Sequence, residues 1–302
     1  MQKIKFKQNS FQNKEKRIKE IFLIRLQYPL NLQNPKTYNE KMQYLNLYKY
    51  SKDKRVILRS DKYKVREFLK GNNYEQYLTT SYGVWEAPEM INLKSLPNSF
   101  VLKANNSSGN KAIMFVKDKS VFKSQKEFTL QVSKIWEYSK KKLIVFKKLC
   151  QYHYLKIKPM IVAEEFLHNK NGAEFIDYKL YCFNGIVEFI SAEEGKVEGK
   201  KYRTYYNSNW TKSDVTFKND LPKPYYEYQK PINLDSMIIF AEKVSKDFPH
   251  IRVDLYEVNK TLFFGEITFS PDGCLTKWGD LNLDRFYGDK INLEYYKNDQ
   301  EI

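Results

Sequence analysis

Residues 251–269 read IRVDLYEVNKTLFFGEITF. Two runs of alternating apolar and polar residues flank the polar pair Asn259-Lys260, the pattern of an antiparallel hairpin with one buried face. The register decides the chemistry. A three-residue connection, Asn259-Lys260-Thr261, opposes Val258 to Leu262, Asp254 to Glu266 and Arg252 to Thr268, and opposed residues share a face. That face is polar, and the other carries Ile251, Val253, Leu255, Phe263, Ile267 and Phe269. A two-residue turn pairs Asp254 with Gly265 instead and throws Glu266 to the opposite face. The cleaner segregation favours the odd connection. Two carboxylates this close stay ionised only with a cation between them. Arg252 can supply that charge, and so can Mg2+, which favours one or two carboxylates plus phosphate oxygens. An ion-pair cluster on a solvated sheet face has the same spacing.

The chain has 302 residues, 42% of them hydrophobic, with 24 Tyr and 20 Phe, which is enough for a large core and more than one domain. Cys150, Cys182 and Cys274 show neither metal spacing nor even pairing, which places the protein in a reducing compartment. His153, His168 and His250 are scattered and receive no ligand role. No apolar run is long enough for a membrane span, and the start MQKIKFKQNSFQNKEKR lacks a signal-type segment, so the expectation is cytoplasmic. A net charge of +16 implies an anionic partner: nucleotide phosphates, an acidic polymer, nucleic acid or an anionic membrane surface. Lysines spread evenly over a solvated surface give the same total.

From the N-terminus, Lys14–Leu26 has helical spacing until Pro29 and Pro35 break it. Thr37 with Glu40 reads as a capping box. Ser60–Leu69 reads as a capped helix with a charged face of Asp61, Lys62 and Arg66. Ser99–Leu102 is a short strand that delivers Lys103 into ANNSSGNKAIMFVKD, a loop of small residues whose N–H groups can approach a phosphate, with Lys111 as a second cation. A plain hairpin loop favours the same residues. Ser124–Lys140 is an amphipathic helix, and Ile157–Leu167 an apolar strand ending in Glu164 and Glu165. DYKLYCF, Asn184-Gly185 and IVEFISAE form a hairpin with a type I′ turn, opposing Phe183 to Ile186 and Lys179 to Ile190. That register puts Asp177, Lys179, Tyr181 and Glu188 on one face, with Phe189 on the other. Lys196–Tyr206, with Arg203, reads as a basic loop, residues 208–231 as irregular, and Asn233–Phe248 as a helix. The order fits an α+β or α/β fold with a small inserted domain.

A Lys at a strand end, a small-residue loop, a strand ending Glu164-Glu165-Phe166-Leu167, then Asp177-x-Lys179, Arg252-x-Asp254 and Glu266-x-Thr268 together resemble the ATP-grasp superfamily. The resemblance narrows to the TupA-like ATP-grasp amidoligases of teichuronopeptide and capsular-polysaccharide biosynthesis. It runs through LNLQNPKTYNEKMQYLNLYK, SDKYKVREF, LPNSFVLKANNSSG, DYKLYCFNG, IRVDLY and FGEITFSPDG. It implies an α+β ATP-grasp fold with a mostly helical region at 1–98, a small lid subdomain at 99–165, and a C-terminal subdomain with the metal site at 166–302. It implies ATP and Mg2+ as cofactors. Lys103 and the loop Asn105–Gly109, with Ser107, Ser108 and Gly109, match the closing phosphate loop, and Glu164, Glu165, Phe166 and Leu167 the hinge that reads adenine. Asp177 matches a ribose contact, and Lys179 and Arg203 match basic groups that meet phosphate. Asp254 and Glu266 match Mg2+ ligands, with Thr268 where the superfamily usually has Asn, and Arg252 a basic group at the reacting centre.

The chemistry suits these groups. A carboxylate forms an amide only after its oxygen becomes a leaving group, which ATP achieves by making an acyl phosphate. Positioning and charge neutralisation then govern the rate. The expected reaction joins an amine to a uronic acid of a surface polysaccharide or its nucleotide- or lipid-linked precursor, without nucleic acid, and with peripheral attachment to the inner membrane face left open. A sugar kinase or another polysaccharide-modifying transferase using the same ATP site is the alternative. A basic nucleic-acid-binding protein is a third reading, and the acids at Asp254 and Glu266 argue against it.

Overall fold

A computed structural model describes residues 2–297 except 171, 173, 174, 198 and 199. The helices are α1 (Gln2–Leu26), α2 (Tyr38–Tyr44), α3 (Lys54–Ser60), α4 (Lys64–Gly71), α5 (Gln125–Lys148), α6 (Leu234–Ser245) and α7 (Leu281–Asp289). Thr37 and Glu40 close the expected capping box on α2. The segment after Ser60 divides differently from the sequence pattern. Ser60 ends α3, and Asp61 accepts the N–H groups of Tyr63 and Lys64 in the turn that leads into α4.

The strands form two antiparallel sheets. The first has the order β1-β4-β2-β3, from β1 (Ser81–Trp85), β2 (Phe100–Ala104), β3 (Ile113–Val116) and β4 (Ile161–Glu164). Phe100, Leu102, Ala104, Ile161 and Ala163 pack on Phe128, Val132 and Ile135 of α5. Alternation then turns Val101, Lys103, Val162 and Glu164 to the other face. Strand β1 comes from the stretch expected to be mostly helical and pairs with β4.

The second sheet has the order β7-β6-β5-β8-β9, from β5 (Ile176–Phe183), β6 (Ile186–Val197), β7 (Lys200–Asn207), β8 (His250–Val258) and β9 (Thr261–Thr268). The basic loop expected at Lys196–Tyr206 is for the most part the hairpin of β6 and β7, with 198 and 199 outside the described residues. One face carries Leu180, Cys182, Ile190, Val253, Leu255 and Ile267 against Met237, Phe240, Ala241 and Val244 of α6. This helix fills the apolar side because its own stripe recurs every three to four residues.

The β8–β9 connection corrects the expected register. Asn259 and Lys260 both take left-handed backbone, φ 51° and 66°, and form a two-residue turn that pairs Val258 with Thr261. Leu255 pairs with Phe264 and Asp254 with Glu266, so Gly265 is an extra residue, a β-bulge. The short turn alone would send Glu266 to the core, and the bulge turns it back. Phe264 therefore enters the core, and Phe263 faces the same side as Tyr256. A Cβ at Gly265 would stand 2.9 Å from the Asp254 carbonyl oxygen and 2.9 Å from the Tyr256 ring.

A second bulge corrects the other hairpin. Asn184 and Gly185 form the expected turn, but Cys182 pairs with Val187 and Tyr181 with Phe189, leaving Glu188 out of step. Glu188 meets Lys290 at 2.8 Å, and Lys179 faces Ser191 in place of Ile190. Glu193 and Phe189 thereby join the face of Asp177, Lys179 and Tyr181.

At its far end this face is closed by aromatic packing. Tyr38 of α2 stands edge-on to His250 and Trp278, and donates to or accepts from His250 Nε2 at 3.0 Å. Burial holds the His250 imidazole neutral and pulls its pKa down to about 3. Cys150, Cys182 and Cys274 are buried and unpaired.

Two measurements follow from this packing. Gly265→Ala should cost about 1–3 kcal/mol in chemical denaturation, whereas Gly71→Ala, whose new methyl meets nothing within 4 Å, should not destabilise. The unfolded His250 binds a proton below its ordinary pKa while the folded one refuses it, so stability falls as pH drops from that value toward about 3. In His250→Gln, the stability lost between neutral pH and mildly acidic pH should be about 1.3 kcal/mol smaller than in the parent. An equal loss in both would remove the buried neutral histidine.

Candidate active site

The polar face of the five-stranded sheet gathers acids and bases from every strand because the two bulges bring its alternation into phase. Across adjacent strands, Asp177 faces Glu193 and Tyr256, Lys179 faces Asp254, Asp254 faces Glu266, and Arg252 faces Thr268 and Tyr181. Glu193 in turn faces Arg203.

Arg252 organises the centre. Its Nε and Nη2 donate to the two oxygens of Asp254 at 2.6 and 2.8 Å, and Nη2 also reaches Glu266 Oε1 and Thr268 Oγ1, each at 3.3 Å. Thr268 donates to Glu266 Oε1 at 3.1 Å. Lys179 Nζ pairs with Asp177 and lies 3.4 Å from Asp254 and 3.8 Å from Glu193. At the rim, Arg203 meets Glu193 at 2.9 Å and Asp220 at 2.6 Å, and Tyr205 donates to Asp220.

The small sheet and the helices supply the opposing wall. Lys103 Nζ is 2.7 Å from Glu164 Oε2, and Arg66 is 3.6 Å from Glu164 Oε1. Lys62, between α3 and α4, bridges the two halves: its Nζ lies 2.8 Å from Glu266 Oε2 and donates to the Ser107 carbonyl at 2.9 Å. Asn105 anchors this corner, donating to Asp61 and the Lys158 carbonyl and accepting the Met160 N–H. Next to it, both side-chain polar atoms of Asn106 and the Ser107 hydroxyl are buried without a hydrogen-bond partner. Buried polar atoms of that kind cost energy unless a ligand completes them.

Charge follows geometry. Burial alone would raise the Glu266 carboxyl, yet Lys62 and Arg252 hold it well below the usual range. The same contest lowers Glu164, with Lys103 and Arg66 winning over burial. Asp177 goes the other way, up to about 6, because burial and the nearby Asp254 and Glu193 outweigh Lys179. The Lys179 ammonium is pushed up, its surrounding carboxylates overcoming burial.

The remaining expected residues fall around this centre. Ser108 and Gly109 continue the loop, Gly109 at φ 86°, where an added Cβ would meet nothing and only the backbone angle requires glycine. Glu165 accepts the N–H and hydroxyl of Thr80. Phe166 stands edge-on to Phe115 at 6.3 Å, with Leu167 beside it half-buried. The sequence reading missed the parts played by Lys62, Arg66 and Glu193. Lys62 and Arg66 stood four apart on a charged helical face, the available signal, but nothing local tied that face to β9 or β4.

The donor set suits a hard divalent cation. Asp254, Glu266 and the Thr268 hydroxyl offer oxygen ligands from adjacent strands. Among the described residues, no group of three or more His, Cys, Asp or Glu side chains could hold a metal by itself. Two acids and a hydroxyl match Mg2+, which takes one or two carboxylates and completes its shell with phosphate oxygens.

The profile of the TupA-like ATPgrasp family matches residues 40–292. No curated protein matches the chain. Among solved structures it is similar to the D-alanine–D-alanine ligase of Helicobacter pylori, at 14% identity and TM-score 0.44, over 84% of this chain and 68% of that one. It is similar also to the D-alanine–D-alanine ligase of Bacillus anthracis complexed with ATP, at 13% and 0.42, over 71% and 57%. A third is the L-amino acid ligase of Bacillus licheniformis, at 14% and 0.40, over 72% of this chain and 42% of that one. The chain thus spans about two fifths to two thirds of those structures, and the family match carries the assignment. It takes in both sheets and every site residue from Lys62 to Thr268, and the chain belongs to the TupA-like ATP-grasp family.

Proposed function

We propose that this ATP-grasp protein is an ATP-dependent carboxylate–amine ligase that activates its acid as an acyl phosphate and releases ADP and phosphate. The observation that carries the reading is the set of cations around one site: Lys62, Lys179 and Arg252 on the acids of the five-stranded sheet, and Lys103 on Glu164 of the opposing wall. Phosphoryl transfer needs positioned positive charge more than covalent help. The substrate carboxylate attacks the γ-phosphorus, the bond to the ADP oxygen breaks, the amine attacks the acyl carbon, and phosphate leaves as the amine loses its proton. Mg2+, held by Asp254 and Glu266 with Thr268 beside them, would neutralise and align the phosphate oxygens. Lys103 and Lys179 fix the nucleotide, and Arg252 lies where charge develops. Glu164–Leu167 line the base end, Asp177 the ribose, and Arg203 the rim where phosphate or an acidic acceptor enters. The loop with Ser107, Ser108 and Gly109 closes over the phosphates and excludes water.

The acceptor class follows from charge. A net charge of +16 favours an anionic substrate, and a uronic acid in a capsular or other surface polysaccharide, or its precursor, provides both the charge and the carboxylate. An amino acid or other small amine is the second substrate. Among the described residues no helix is long and apolar enough to cross a membrane.

ADP release should require both a carboxylate and an amine. A product that retains phosphate on the sugar, or release of AMP, would overturn the ligase reading. Asp254→Asn and Glu266→Gln should each lower kcat/KM by about 10³-fold, with an intact circular dichroism spectrum. Lys62→Met should cost about 10²-fold, the loss of one charge-assisted hydrogen bond, and Lys62→Arg should recover part of it. Parent-like kinetics in Lys62→Met would take this lysine out of the site.

A further inference from the structure

The two carboxylates best suited to a metal are fully engaged by the protein's own cations. Both oxygens of Asp254 accept from the Arg252 fork, and one also lies 3.4 Å from Lys179. Glu266 has Arg252 and Thr268 on Oε1 and Lys62 on Oε2. A dication arriving alone therefore meets Arg252, Lys179 and Lys62 within a few ångströms, and it must displace hydrogen bonds from charged donors to reach either acid.

We infer that Arg252 and Lys62 act as a built-in lock that keeps divalent metal off Asp254 and Glu266 until a triphosphate arrives. The inference rests on the ATP-site reading above. A triphosphate offers the guanidinium and the ammonium new anionic partners. Their move frees Glu266 Oε2 and one or more Asp254 oxygens, and the metal enters as these acids lose their cations. Lys62 is placed for this handover, since its Nζ already spans Glu266 and the Ser107 carbonyl of the phosphate loop. The unpartnered Asn106 amide and Ser107 hydroxyl lie on the same loop. Binding linkage is reciprocal, so the factor by which nucleotide tightens metal equals the factor by which metal tightens nucleotide.

The test is a titration of the full chain with Mn2+, followed by electron paramagnetic resonance, with and without the nonhydrolysable analogue AMP-PNP. The parent should bind Mn2+ alone at least about tenfold more weakly than with AMP-PNP, within the range expected of coupled sites. Lys62→Met and Arg252→Met should each bind Mn2+ alone about tenfold more tightly than the parent, a gain rather than a loss, and their coupling factor should shrink. Lys62 stands in the turn between two short helices and not in a strand of either sheet, so Lys62→Met preserves the test should Arg252→Met fail to fold. Parent affinity for Mn2+ that is the same with and without AMP-PNP overturns the lock, as does a folded Lys62→Met with no gain in Mn2+ affinity. No binding of AMP-PNP to the parent with or without Mn2+ removes the ATP site and the lock together.

Discussion

Asp254 and Glu266 face each other across two strands, and the site is built to make that tolerable. Two ionised carboxylates at cross-strand distance repel strongly once water is thinned around them. Arg252, two residues from Asp254 on the same strand, answers with a fork aimed at one acid and an edge aimed at the other. Its planar donors suit this better than a lysine's point charge. The demand then spreads outward. Lys62 meets the second oxygen of Glu266, Lys179 sits among Asp177, Glu193 and Asp254, and Arg203 holds Glu193 from the edge strand. Each acid brings a cation with it, and each cation is the kind of group that a phosphate recruits.

The sheet presents these groups through two irregularities. Gly265 adds one residue to β9 and Glu188 adds one to β6. Alternation has a period of two, so a single inserted residue moves every later side chain to the other face. Without the first bulge, Glu266 would point into the packing of α6. Without the second, Glu193 would lie away from Lys179, and Glu188 would take a place on the polar face. A continuous apolar layer and a continuous polar layer coexist in one sheet because the slips occur where the chain needs them.

The N-terminal helices do two different jobs. Tyr38 and Met42 of α2 bury the far end of the sheet, where His250, Phe183, Trp278 and Tyr287 form an aromatic plug. The turn between α3 and α4 and the first turn of α4 instead send Lys62 and Arg66 to acids on different sheets. Asp61 ties the two roles together, since it shapes the turn into α4 and also holds Asn105 at the root of the phosphate loop. Helix placement and site electrostatics therefore share one short stretch of chain.

Composition and local pattern settle a good deal on their own. The alternation in 251–269 announces a hairpin with an acid cluster, Asn184-Gly185 names the turn of a second hairpin, Thr37 and Glu40 set a helix start, and the ordered blocks from Leu30 to Gly273 identify the family. These features are legible because they depend on neighbours within a few residues. The turn length at Asn259-Lys260, the bulges at Gly265 and Glu188, and the arrival of Lys62, Arg66 and Glu193 were decided only in three dimensions. A bulge satisfies a demand of the whole sheet, for Glu266 must face Arg252 while Phe264 faces α6. A lysine just over two hundred residues from its carboxylate finds it only after two sheets have packed and stripped away the water that would otherwise have paired with each.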